Sequence, residues 1–142
     1  MHVEHSIDIN AEPGRVWLVM TDIERWPAMT AAVTRVEVLR PGPLEVGAEA
    51  RITQPRFGTR TWRVTALDPG RSFSWESSGV GSRMVARHVV TPRGDSSSTA
   101  TLSVDSSGWA VALIGWLLAG TGRRYIEMEA EGLKVRAESS SM

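Results

Sequence analysis

The sequence contains no cysteine and carries no net charge, since 16 Lys and Arg residues balance 16 Asp and Glu residues in a chain of 142. The lack of cysteine excludes disulfides, thiol catalysis and cysteine-ligated zinc. The charge balance argues against a broad basic surface for nucleic acid. The first ten residues alternate polar and apolar side chains and show no signal-peptide pattern. We therefore expect one cytoplasmic domain with its own core.

Recognised catalytic signatures are also missing. The sequence has no G-x-S-x-G nucleophile elbow, no H-E-x-x-H zinc motif, no Walker phosphate loop and no complete G-x-G-x-x-G. His5, His88 and Glu129 do not have a diagnostic metal-ligand spacing. Phosphate and dinucleotide chemistry therefore have no support, and we predict neither a metal nor another cofactor.

The chain does contain a regular order of strands and helices. Residues 3–9 alternate polar and apolar, which is the period of a half-buried strand. A helix with Pro13 in its first turn follows, and then a short helix that breaks at Trp26-Pro27. Six further strands are predicted at 34–39, 48–55, 59–67, 72–77, 83–90 and 98–105, before a long helix from Trp109 to Arg136. Grouped antiparallel strands with segregated helices predict an α+β domain.

The long helix begins within the most hydrophobic passage, "GWAVALIGWLLAGTGRRY" at 108–125. A membrane-spanning helix needs about 20 apolar residues. The uncharged run at 106–122 is 17 residues long and includes four glycines. We therefore predict that this helix covers the apolar face of the sheet rather than spanning a bilayer.

One face of the long helix is predicted to be buried, and it includes Val111, Ile114, Leu118 and Tyr125. Glu129 falls in the middle of this face. A buried carboxylate is costly unless it is paired, hydrogen-bonded or protonated. Two interpretations are open: the carboxyl reaches solvent or an arginine, or it points into a cavity.

A second apolar face on the same helix consists of Trp109, Leu113 and Trp116, which we call the outer stripe. This face later carries Glu127 and Glu131, so the outer stripe would be exposed in a monomer. Such patches usually mark contact sites. A second copy of the chain, the first helix or a membrane surface could cover it.

Polar residues interrupt the inner face of the predicted sheet. Strand alternation places His5, Gln54 and His88 there among apolar residues that include Trp62 and Ala66. A buried histidine is either a hydrogen-bonded core residue or a ligand contact. An apolar and aromatic surface with a few polar groups is typical of a ligand pocket.

Five stretches of the chain resemble a known family: "SIDINAEPGRVWLVMTDIERWPAM", "LRPGPLEVGAEARITQP", "WRVTALDPGRSFSWES", "ARHVV" and "RRYIEMEAEGLK". Together with the element order, they resemble the START-like (SRPBCC) superfamily, and within it the small bacterial polyketide cyclase/dehydrase-like proteins. The resemblance implies a helix-grip fold, in which a seven-stranded curved antiparallel sheet wraps around a long C-terminal helix and two short helices follow the first strand. It also implies a single ligand-binding domain at 1–138 with a pocket for a hydrophobic molecule. The Ser-rich residues that follow, 139–142, are predicted to form a flexible tail.

Three functions are compatible with these features. The first is binding of a polyketide-, aromatic- or lipid-like molecule, with apolar walls and polar contacts from Trp62, Trp75, Ile114, Leu118, Tyr125, His5, Gln54, His88 and Glu129. The second is an enzyme for aldol-type cyclisation or dehydration of a polyketide-like substrate, with His88 or Glu129 as general acid or base. The third is an interaction module that dimerises or binds a partner through the outer stripe.

Overall fold

The secondary structure follows the predicted order. The computed structural model describes residues 1–139. Its strands are β1 (His2–Ile9), β2 (Arg35–Val38), β3 (Glu49–Gln54), β4 (Gly58–Asp68), β5 (Ser72–Gly79), β6 (Ser82–Pro92) and β7 (Ser98–Ser107). Its helices are α1 (Pro13–Thr21), a 3₁₀ turn (Ile23–Arg25), α2 (Trp26–Met29) and α3 (Trp109–Glu138). All seven predicted strands and the long last helix are confirmed, whereas residues 140–142 of the predicted tail lie outside the described residues.

The strands form one antiparallel sheet in the order β1-β7-β6-β5-β4-β3-β2. Strands β2 to β7 are joined as successive hairpins, and β1 completes the sheet by pairing with β7. Helix α3 packs against the sheet, most closely along β1, and against α1. The predicted α+β architecture, with segregated helices on an antiparallel sheet, is therefore confirmed.

The two halves of α3 are packed differently. From Tyr125 onward the helix buries Ile126, Ala130, Leu133 and Ala137 in the core, whereas its first half buries only Gly115. The second half therefore anchors α3 by apolar burial, which supplies the main stabilisation of such a helix. The first half stands away from the sheet, and the gap between them becomes the cavity described below.

The start of α3 depends on the close approach of two glycines. Gly81, in the β5–β6 turn, and Gly108 both have positive φ. A Cβ on Gly108 would overlap the carbonyl oxygen of Gly81. That carbonyl accepts a hydrogen bond from the Ala110 amide at 2.9 Å, which satisfies one of the unpaired donors of the helix N-terminus.

Within residues 1–139, no helix is long and apolar enough to cross a membrane.

The inner face of β4 departs from strict alternation. The pairing of β4 with β5 shifts register between Val64 and Ala66. The extra residue of this bulge turns the exposed Ala66 outward and brings Leu67 opposite Phe73. The placement of Ala66 on the inner face from alternation alone is therefore wrong.

Pro27 begins a helix rather than breaking one. It occupies the first turn of α2, where a missing amide hydrogen costs nothing because no partner would be available to it. The preceding Trp26 is buried, and its indole Nε1–H donates to the Met20 carbonyl at 3.2 Å. The predicted break at Trp26-Pro27 is thus replaced by a 3₁₀ turn followed by a short α-helical turn.

We expect Gly132→Ala to destabilise the fold. A Cβ at this position would overlap the Met29 carbonyl oxygen, so alanine forces α3 away from α2. The free energy of unfolding in urea should fall by about 1–3 kcal/mol. The control is Gly120→Ala on the same helix, where no atom lies within 4 Å of a new Cβ and stability should rise by up to about 1 kcal/mol. Equal stability of the two variants would contradict this packing.

Candidate functional site

A cavity of about 330 Å³ lies between the inner face of the sheet and the first half of α3. Its walls are mainly apolar and include Ile52, Trp62, Trp75, Met84, Ala86 and Leu102 from the sheet, with Val111, Ile114, Leu118, Gly122 and Ile126 from the helix. A second recess of about 20 Å³ shares His88 and Glu129 with it. That recess is large enough for one water molecule.

Aromatic rings form a rigid part of the cavity wall. The ring of Trp75 lies between Trp62, at a centroid distance of 5.8 Å, and Trp26, at 5.5 Å in an edge-to-face arrangement. Such pairs are favourable beyond the area that they bury. The cluster therefore presents a preformed apolar surface to a molecule in the cavity.

His88 is enclosed by this aromatic cluster. Its imidazole stacks on Phe73 at a centroid distance of 4.3 Å, opposite it in the β5–β6 pairing, and only 6% of the residue is exposed. Nδ1 is buried and has no hydrogen-bond partner of ordinary geometry among residues 1–139. Burial lowers the pKa of His88 to about 4, opposed only in part by the Phe73 backbone. The imidazole is therefore neutral at pH 7 and has a ring nitrogen able to accept a proton.

Glu129 lies on α3 and lines both the cavity and the small recess. The residue is half-buried, and within residues 1–139 its carboxyl forms no hydrogen bond or ion pair. Burial raises the pKa of Glu129 to about 7. Near neutral pH the protonated and ionised forms of this carboxyl therefore coexist.

His88 and Glu129 together give the cavity two groups capable of proton transfer. A neutral imidazole can act as a base, and a carboxyl that titrates near pH 7 can act as an acid or a base. Both line the small recess, so a polar atom or a water molecule there would be near both side chains. In the described part of the chain, no three His, Asp or Glu residues are grouped as metal ligands.

Eight of the nine predicted ligand-binding residues line the cavity: Gln54, Trp62, Trp75, His88, Ile114, Leu118, Tyr125 and Glu129. Tyr125 presents its ring, because its hydroxyl donates to the Pro55 carbonyl at 2.6 Å. His5 does not line the cavity. It is half-buried on β1, the edge strand along which α3 packs most closely.

Arg60 is a cavity residue that the sequence reasoning missed. It lies on β4 opposite Ile52 and two residues before Trp62, on the same inner face. Strand alternation is the signal that could have found it, since the same alternation placed Trp62 inward.

The outer stripe is exposed in the monomer. Trp109, Leu113 and Trp116 have exposed fractions of 63, 65 and 71%. The indole Nε1–H of Trp116 donates to the Leu113 carbonyl at 3.1 Å within the helix. The first helix, α1, leaves these residues uncovered.

Several solved structures share this architecture. An aromatase/cyclase from Streptomyces sp. R1128 aligns with a TM-score of 0.82 and 20% identity, over 97% of this chain and 93% of the other. A START superfamily protein from Mycobacterium smegmatis aligns with a TM-score of 0.75 and 14% identity, over 95% and 97%. A norcoclaurine synthase from Thalictrum flavum aligns with a TM-score of 0.74 and 14% identity, over 98% and 96%. At these identities the likeness concerns the fold, and the helix-grip prediction is confirmed.

The sequence itself identifies the family. Residues 1–138 match the family model described as polyketide cyclase / dehydrase and lipid transport. The chain therefore belongs to this family, as the resemblance predicted. No functionally curated protein matches the sequence.

We predict that the pH dependence of stability separates into two opposing parts. The lowered pKa of His88 makes the folded state more stable as pH rises from about 4 to 6.5, because only the unfolded histidine is protonated in that window. The raised pKa of Glu129 makes it less stable as pH rises from about 4.5 to 7, because only the unfolded carboxyl is ionised there. In the wild-type protein the two effects oppose each other between about pH 4.5 and 6.5.

Glu129→Gln should remove the Glu129 contribution to the pH dependence of stability and leave that of His88. Relative to wild type, its free energy of unfolding in urea should increase by roughly 3 kcal/mol between pH 4.5 and pH 7. Glu127→Gln, which removes a carboxyl from the exposed side of α3, is the control. A difference between Glu129→Gln and wild type that stays constant with pH would show that Glu129 titrates as an ordinary carboxyl.

Proposed function

We propose that residues 1–138 form one cytoplasmic ligand-binding domain that holds a hydrophobic polyketide-, aromatic- or lipid-like molecule between the sheet and α3. The observation that carries the proposal is a preformed cavity with an aromatic wall and two isolated titratable groups, His88 and Glu129. Its volume of about 330 Å³ lies at the lower end of the range for small-molecule sites. A ligand of one to three rings, or a medium-length acyl chain, fits this space.

Two further features indicate that the cavity binds a ligand and is not merely a packing defect. Nδ1 of His88 and the carboxyl of Glu129 have no hydrogen-bond partners of ordinary geometry among residues 1–139. An unpaired buried nitrogen such as Nδ1 of His88 is costly and therefore uncommon in a native core, and burial makes the ionised form of the Glu129 carboxyl costly. A molecule that donates to or accepts from the Glu129 carboxyl would reduce this cost.

Filling the cavity should abolish binding of an apolar probe. Gly122 lines the cavity and has no atom within 4 Å of a new Cβ, so Gly122→Leu places a large side chain in that space. The affinity for N-phenyl-1-naphthylamine, a neutral dye that brightens in apolar sites, should fall at least tenfold by fluorescence titration. Gly120→Leu is the matched control: the residue lies two positions earlier on the exposed side of the same helix and should leave the affinity unchanged. Equal affinities in the two variants would place the dye outside the cavity.

A second candidate function is an enzyme that cyclises or dehydrates a polyketide-like substrate. The pKa values of His88 and Glu129 favour it, because they supply a neutral base and a carboxyl poised near pH 7. In an aldol closure, one of these groups removes a proton from a carbon next to a carbonyl, and the resulting enolate attacks a second carbonyl to form a carbon–carbon bond. The alkoxide formed takes up a proton to give a hydroxyl. Removal of a second proton from the carbon next to the first carbonyl, with protonation of the departing hydroxyl, then releases water and forms a carbon–carbon double bond. If Glu129→Gln loses turnover of a polyketide-like substrate but binds N-phenyl-1-naphthylamine as wild type does, the result would support the enzyme. If its turnover equals that of wild type, Glu129 has no part in the mechanism.

We also propose that the outer stripe forms a homodimer contact. Three large apolar side chains on adjacent turns of α3 are more than 60% exposed, and contiguous patches of this kind usually mark interfaces. Sedimentation should give the wild-type protein a mass of about two chains and Trp116→Ser a mass of one. Val135→Ser, at another exposed apolar position of α3, should remain dimeric. A wild-type monomer, or an unchanged mass for Trp116→Ser, would contradict the contact.

A further inference from the structure

Arg60 brings a positive charge to the wall of an otherwise largely apolar cavity. It lies on the inner face of β4, next but one to Trp62, and is half-buried. Because an arginine stays protonated at any physiological pH, the charge is permanent. A molecule that fills the cavity meets this guanidinium beside the aromatic wall.

The guanidinium is held in place by serines from the next two strands. Nε donates to the Ser77 hydroxyl at 3.0 Å, Nη2 donates to the Ser77 carbonyl at 3.4 Å, and Nη1 donates to the Ser82 hydroxyl at 3.2 Å. A guanidinium has five N–H donors. These three bonds leave one N–H on each terminal nitrogen, a number that matches the two oxygens of a carboxylate.

No carboxylate of the protein neutralises this charge. Among residues 1–139, no Asp or Glu oxygen lies within 4.0 Å of the Arg60 guanidinium, and Glu129, the acid in the cavity wall, forms no ion pair with it. Burial also lowers the pKa of Arg60, which reflects the partial loss of water around the cation. A partly desolvated charge without a counter-charge is costly, and an anionic ligand group would remove that cost.

We propose that the ligand is an amphipathic carboxylic acid whose carboxylate binds Arg60 and whose apolar body lies against Trp62 and Trp75. This inference rests on the proposed function and specifies the chemical class of the ligand. Ser77, which holds Arg60, and Phe73, on which His88 stacks, lie four residues apart on β5. At about 3.3 Å per residue the two ends of the site are about 13 Å apart, the length of a medium acyl chain or of two to three fused rings.

The test compares an acid and an alcohol of equal chain length. Dodecanoate and dodecan-1-ol, both at micromolar concentration and pH 8, displace bound N-phenyl-1-naphthylamine from the cavity. Wild type should bind dodecanoate at least tenfold more tightly than dodecan-1-ol, and added salt should weaken only the acid. Arg60→Gln should lose at least tenfold in affinity for dodecanoate and change less than twofold for the alcohol, whereas Arg60→Lys should retain part of the preference.

The control is Arg63→Gln, which removes an exposed arginine from the same strand and should leave both affinities unchanged. Equal wild-type affinities for acid and alcohol would overturn the inference. So would an equal loss for both ligands in Arg60→Gln, because Arg60 would then be only structural. In either case dye binding would leave the proposed function standing, whereas failure of wild type to bind the dye would remove both.

Discussion

The unequal packing of α3 is the constraint on which the site depends. Its second half is fixed by apolar burial around Ile126 and Leu133 and by the close contact of Gly132 with the Met29 carbonyl. Its first turn is tied to the β5–β6 hairpin through the Gly81 carbonyl. Between these two attachments Val111, Ile114 and Leu118 line the cavity instead of being buried in the core. A helix packed equally along its length would close the cavity.

The cavity in turn determines the chemistry of its polar groups. Burial keeps His88 neutral and moves the titration of Glu129 to about pH 7, although both groups would be ordinary on the surface. Arg60 keeps its charge but loses part of its water and has no acidic partner among residues 1–139. One apolar enclosure thus contains a base, a carboxyl and a cation at separate positions, which is the arrangement that a ligand with two polar ends would match.

Much of this was predictable because it follows from periodicity. Alternation located the seven strands and placed Gln54, Trp62, Trp75 and His88 on one face, and helical spacing placed Ile114, Leu118, Tyr125 and Glu129 together. The errors arose where a local irregularity breaks the period of a strand, or where the packing of another element determines which residues line the cavity. The bulge at Val64 turned Ala66 outward, and His5 lies outside the cavity lining, on the edge strand along which α3 packs most closely. Arg60 was missed although the alternation that places Trp62 inward places it there as well.

Native mass spectrometry of the protein purified from its own host tests the central claim most directly. If α3 and the sheet enclose a ligand site, the spectrum should contain a complex with one small molecule per chain, which is released on denaturation. The same complex should be lost from Gly122→Leu and kept by Gly120→Leu. A wild-type protein that carries no small molecule and also takes up no apolar compound would contradict the account.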